Sequence, residues 1–143
     1  PMEDMYNRGD YKPYSLDEAV YISAEMLKLY NEAKVKVIRI GLQPTDTITT
    51  GKDIVDGPFH PAFRELVEGY LICESLKEKA PQEKDIIIEI NEKDISKLYT
   101  NRKYYFNKFL NSRNSKTYVH TNNKIKKGRL KLTVIEKVEE FKI

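Results

Sequence analysis

Between Leu16 and Leu42 the apolar positions change period once. Leu16, Val20, Ala24 and Leu27, and beside them Ile22, Met26 and Tyr30, recur at helical spacing. Ser15-Leu16-Asp17-Glu18 precedes them as a capping box, with Ser15 as N-cap and Glu18 at the third position. The pattern predicts a helix ending near Ala33. From Val35 to Leu42 the spacing shortens to alternation, with β-branched residues at Val35, Val37, Ile38 and Ile40. That predicts a strand, stopped by Pro44. Residues 1–14, with Tyr6, Gly9, Tyr11 and Pro13-Tyr14, read as an ordered loop.

Residues 43–58 form a long polar loop containing Thr45-Asp46, Thr49-Thr50-Gly51-Lys52 and Asp56-Gly57-Pro58. Loops of this length inside compact domains are usually functional or mobile. Pro61 suits the first position of the next helix, which is predicted to run to about Lys79. Phe63, Leu66, Val67, Tyr70, Leu71 and Cys73 share its buried side. Ile86-Ile87-Ile88 with Ile90 reads as a short buried strand. Leu98, Tyr105, Phe109 and Tyr99, Phe106, Leu110 predict one further helix across 97–112. Short strands follow at Tyr118–His120 and Leu130–Ile135, joined by a turn at Lys124–Gly128. Helices mixed with strands in this order define the α/β class.

A chain of 143 residues can bury one ordinary core. Its apolar fraction of 40% and charged fraction of 33% are those of a globular protein. No apolar run approaches the roughly 20 residues that span a bilayer, so no membrane partner is expected. A single cysteine, Cys73, excludes an internal disulfide and fits a reducing, cytoplasmic setting. The start at Pro1 suits a piece of a longer protein. The net charge of +3 hides a lopsided distribution. Residues 97–143 carry thirteen Lys/Arg against three glutamates, whereas the first 96 residues hold twelve basic and nineteen acidic residues. Such asymmetry points to a polyanion or to an acidic neighbouring domain.

Ile38-Arg39-Ile40-Gly41-Leu42-Gln43-Pro44-Thr45-Asp46, followed by Gly57-Pro58-Phe59-His60-Pro61-Ala62-Phe63-Arg64-Glu65-Leu66-Val67-Glu68-Gly69, carries the most specific pattern in the chain. With Met5-Tyr6-Asn7-Arg8-Gly9-Asp10-Tyr11 and Pro13-Tyr14-Ser15-Leu16-Asp17-Glu18-Ala19-Val20 it covers about half the sequence. These blocks resemble the C-terminal part of radical S-adenosylmethionine (radical SAM) iron–sulfur proteins related to the catalytic subunit of Elongator. Short bacterial relatives of this kind are often labelled oxygen-independent coproporphyrinogen III oxidases. The resemblance implies a division of the chain. Residues 1–58 would be the last helix–strand unit of a partial (β/α) barrel, and 59–143 a small α/β C-terminal domain.

It also implies a cluster-bearing barrel with a CxxxCxxC motif elsewhere, S-adenosylmethionine and a [4Fe–4S] cluster as the parent's cofactors, and oxidoreductase chemistry. The remainder of that barrel would be a partner, and the Elongator likeness points to tRNA modification. This chain is expected to hold no cofactor of its own, because one cysteine cannot replace three. It would be inactive alone. Strand C-termini line the site in such barrels, which places Arg39, Gly41 and Gln43 near cofactor or substrate, Gly41 allowing close backbone approach.

Asn101-Arg102-Lys103-Tyr104-Tyr105-Phe106-Asn107-Lys108 and Lys124-Ile125-Lys126-Lys127-Gly128-Arg129 mix basic and aromatic residues. Charges for phosphates and rings for bases are the composition of an RNA-binding face. Arg102, Lys103, Lys124, Lys126, Lys127 and Arg129 are the candidate contacts, while Tyr105, Phe106 and Phe109 fit the apolar stripe of the helix. The same charge would serve docking on an acidic domain. His60, beside a helix start, reads as a packing or capping ring. His120 has no partner spacing, and Cys73 reads as an inert core thiol. No phosphate loop or nucleophile elbow is present. Two other classes stay open: a stand-alone RNA-binding module, and a structural or oligomerisation domain.

Overall fold

A computed structural model describes residues 1–42, 56–136, 139, 141 and 142. Its packing divides the chain into two compact units, Pro1–Tyr70 and Leu71–Ile143. The division expected from sequence, at 58/59, lies in the loop ahead of α3 (Phe63–Lys79). The packing boundary falls inside that helix.

The first unit opens with α1 (Met2–Asn7), where a loop was expected. α2 (Leu16–Glu32) follows, and the Ser15 hydroxyl accepts from the Glu18 N–H at 3.1 Å, as the capping box requires. It ends at Glu32 with Ala33 as C-cap, where the apolar pattern places the end. Lys34 takes a left-handed conformation (φ 57), its N–H donates to the Asn31 carbonyl, and the Val35 N–H reaches back to Tyr30 at 2.9 Å. This is a Schellman ending built on lysine where glycine is usual.

α2 buries one stripe only: Ala19, Val20, Ala24 and Leu27. Met26 and Tyr30, expected on a buried face, are exposed. The strand expected over 35–42 is absent. Residues 35–42 have no regular hydrogen-bonded structure, and Ile38 is 83% exposed. β-branched alternation marks a chain fit for a sheet, but a strand exists only when another strand satisfies its backbone. None of the described residues of this unit does so. Residues 43–55, which hold most of the polar loop, lie outside the described residues.

The second unit is built on a three-stranded sheet ordered β2-β1-β3: β1 (Ile86–Ile90), β2 (Thr117–Thr121) and β3 (Leu130–Val134). β1 runs parallel to β2 and antiparallel to β3. A parallel neighbour needs a long crossover, supplied here by α4 (Ile95–Leu98) and α5 (Thr100–Asn111). Ile86, Ile88 and Ile90 alternate onto one face, each at most 1% exposed, opposite Val134, Leu132 and Leu130 of β3 in that order, with Val119 of β2 beside Ile88. Leu98 and Phe109 are also fully buried. The other face is polar, with Glu89 paired to Lys131 at 3.5 Å.

The single helix expected across 97–112 is two. Asn101, Arg102 and Lys103 have φ of 54, 54 and 64 and ψ of 46, 38 and 20, so the chain makes a left-handed turn between α4 and the right-handed body of α5. No glycine or proline announces it, and the apolar period runs across it unbroken. For L-residues other than glycine this conformation costs about 1–2 kcal/mol each, least for asparagine.

Candidate functional site

In the second unit the helical crossover and the β2–β3 connection carry the basic residues. From residue 95 to residue 135 there is no carboxylate and there are eleven Lys/Arg. The connection is held in place from below. The Asn122 N–H donates to the Ile90 carbonyl at 2.8 Å. Asn91 Nδ2 donates to the Ile125 carbonyl at 2.9 Å, and the Gly128 N–H donates to Asp94 Oδ2 at 2.7 Å. Asp94 is buried, and burial works against its charge. The Gly128 N–H, Lys97 at 3.3 Å and Lys127 outweigh that and hold its carboxyl below the usual range. One internal carboxylate thus fixes the loop that presents Lys124, Lys126, Lys127 and Arg129, all exposed.

Asp94 immediately precedes α4, whose four residues make about one helical turn, roughly 6 Å long. The left-handed turn lies just beyond its other end, with Arg102 and Lys103 exposed. The fold therefore draws the two basic segments to the ends of one short helix, although twenty residues lie between Lys103 and Lys124 in sequence. Lys103 Nζ sits 4.5 Å from the centre of the Tyr99 ring, and Lys108 Nζ 4.6 Å from that of Tyr104. Tyr104 is 41% exposed, whereas Tyr105, Phe106 and Phe109 are buried, as the apolar stripe indicated.

One member of the basic count is internal. Arg113 is 8% exposed. Its Nη1 donates to the Pro81 carbonyl at 2.7 Å, Nη2 to Lys84 at 2.6 Å and Nε to Thr117 Oγ1 at 3.1 Å. It staples the segment ahead of β1 to the start of β2. Composition could not separate this guanidinium from the surface cations.

The first unit holds a cavity of about 500 Å³ whose lining includes Ala19, Ser23, Gly41, Leu42, His60 and Phe63. Of the residues expected near a cofactor, Gly41 lines this cavity, Arg39 is exposed, and Gln43 lies outside the described residues. Gly41 has φ +77, and a Cβ added there would meet Phe63 Cδ1 at 3.0 Å. The close approach that glycine permits is therefore made to Phe63. His60 Nδ1 accepts from the Ala62 N–H at 3.0 Å and caps the turn before α3. Pro61 falls in that turn, two residues ahead of the helix. Arg64, unremarked in the sequence, donates to the Val37 carbonyl at 3.1 Å and pairs with Glu68 at 3.0 Å, tying residues 35–42 to α3. The Asp56 carboxylate beside Tyr6 holds that hydroxyl above its ordinary value.

A [4Fe–4S] cluster does not fit these side chains. Three thiolates are needed. Cys73 is alone and buried, and burial pushes its thiol up to about 12. Among the described residues no three His, Cys, Asp or Glu side chains converge on a metal-sized site. No described helix is long and apolar enough to cross a membrane.

The Radical_SAM C-terminal domain family matches residues 1–72, and the chain belongs to that family. No curated protein and no solved structure matches it.

Proposed function

We propose that this chain is the non-catalytic C-terminal part of a radical SAM system. Its first unit closes a cluster-bearing barrel, and its second positions an RNA substrate, tRNA being the candidate. The finer placement beside the Elongator subunit rests on the residues quoted above. The observation that carries the reading is the segment 35–42, which pairs with no strand among the described residues. In a chain of this family it exposes Val35 at 50%, Ile38 at 83% and Leu42 at 54%, and α2 adds Leu29 at 66%. Exposed β-branched residues with no ladder partner among the described residues are what a sheet edge recruits. Arg39, Gly41 and Gln43 would then lie at the mouth of the completed barrel. S-adenosylmethionine and the cluster would supply radical chemistry from the barrel; this chain's residues would orient what the radical meets.

The test is association with a radical SAM barrel carrying CxxxCxxC, supplied as a separate polypeptide and followed by sedimentation. Complex formation is expected, and Ile38→Lys should weaken it at least tenfold while leaving the chain's circular dichroism unchanged. Equal binding by wild type and variant would remove residues 35–42 from the interface.

The RNA part of the reading has its own support in the acid-free run from 95 to 135. tRNA binding should fall steeply with salt. Replacing Lys124, Lys126 and Lys127 by Glu should cost at least tenfold in affinity and flatten the log–log salt slope by roughly one for each phosphate no longer neutralised. Unchanged affinity would assign the charge to domain docking.

A further inference from the structure

We propose that the left-handed turn Asn101–Lys103 is a backbone clamp for single-stranded RNA, and that the exposed ring of Tyr104 stacks against a base of the bound strand. The proposal rests on the RNA reading above and specifies its mode. Three consecutive residues that are not glycine occupy a conformation L-residues avoid. Such outliers persist where the surrounding structure over-determines them, and they concentrate at ligand sites. This one is held by buried neighbours on both sides, Leu98 and Thr100 before it and Tyr105 and Phe106 after it. It places two of its three side chains, Arg102 and Lys103, at the surface as cations.

The strand–helix–turn–helix–strand order, with its first and last strands parallel and adjacent, sets this turn between the two helices of the crossover. In KH modules a short loop between two helices clamps the backbone of four nucleotides. Thr100-Asn101-Arg102-Lys103 occupies the comparable place here, with one cation, Arg102, at a central position and a second, Lys103, at the last. The basic connection 122–129, anchored through Gly128 to Asp94 at the other end of α4, supplies further positive charge for the same strand. A single strand is favoured over a duplex because Tyr104 can stack only on a base that is splayed out.

The probes are a uridine octanucleotide and an eight-base-pair RNA duplex, bound to the full 143-residue chain. Wild type should prefer the octanucleotide at least tenfold. The double variant Arg102→Gly with Lys103→Gly keeps a backbone that accepts positive φ while removing both charges. It should lose about tenfold for the octanucleotide, change the duplex less than twofold, and lower the single-strand salt slope by about 1.4. Tyr104→Ala should add a further loss for the octanucleotide alone. If the glycine pair lowers the melting temperature, Arg102→Asn with Lys103→Asn makes the same test, since asparagine tolerates this conformation. Equal losses for both probes, or no loss for either, overturn the clamp and leave the RNA reading standing. Absence of binding to either probe and to tRNA overturns both.

Discussion

Phe109→Ala is expected to destabilise the second unit by about 3–5 kcal/mol, the largest loss available to a single truncation there. Phe109 is 0% exposed, packs at 6.1 Å from the Phe106 ring centre, and has the Arg113 guanidinium 5.5 Å from its own. Truncation removes that ring from every neighbour at once, and the isoleucines of β1 cannot move to fill the space without breaking ladder bonds on both sides. The measurement is urea denaturation followed by far-ultraviolet circular dichroism. Phe109→Leu should cost less than half as much, because most of the volume is kept. Phe141, 80% exposed, is the control, and its alanine variant should stay within about 0.5 kcal/mol of wild type. A Phe109→Ala midpoint equal to that of Phe141→Ala would show that the buried face of the sheet is not where this unit's stability lies.

The second large effect is expected at Arg113. Substitution by Met keeps the aliphatic stem and removes three hydrogen bonds at 2.6–3.1 Å. The carbonyls of Pro81 and Lys84 lose a charged donor in a nearly closed site. Bonds to charged groups contribute about 1.5–3 kcal/mol each when one partner is deleted, with incomplete additivity. A loss on the order of 3 kcal/mol follows. Burial lowers the proton affinity of this guanidinium and Asp85 opposes that shift, yet the side chain stays charged at any working pH. Arg113→Lys should recover only a minor part, since an ammonium cannot reach two carbonyls and a hydroxyl with the geometry of the planar fork. If Arg113→Met matched wild type in urea, the three bonds would have no net stabilising role.

The basic surface and the core of the second unit meet in these residues. Phe109 lies near the end of α5 and Arg113 just beyond it, bonded to Thr117 of β2, while Arg102 and Lys103 present charge at the start of the same helix. The aromatic stripe therefore has two uses that sequence composition merges. Tyr105, Phe106 and Phe109 pack inside, and Tyr104 alone among the four faces solvent. The loop 122–129 shows the same division. Its lysines are exposed, but the loop is shaped by Asn91 and Asp94, residues belonging to the acidic half of the chain by count.

Local rules settled much of this chain. The capping box at Ser15 forms as the sequence indicates, because its two partners lie three residues apart. Ile86–Ile90 is a strand because four β-branched residues in five favour one, and the Lys124–Gly128 segment is the turn between two strands. The blocks within residues 1–69 were specific enough to identify the family. What the sequence left undecided depended on partners distant along the chain. Val35–Leu42 has the composition of a strand, yet ladder bonds come from a second strand, and the first unit offers none among its described residues. The left-handed turn at Asn101–Lys103 has no signal of its own, since Leu98 and Phe109 keep helical spacing across it. The turn is flanked by buried residues on both sides, Leu98 and Thr100 before it and Tyr105 and Phe106 after it, and that burial belongs to the tertiary structure. Arg113 counts as surface charge until three acceptors converge on it from Pro81, Lys84 and Thr117. Periodicity records which side of an element is apolar, and tertiary structure decides which of those sides finds a partner.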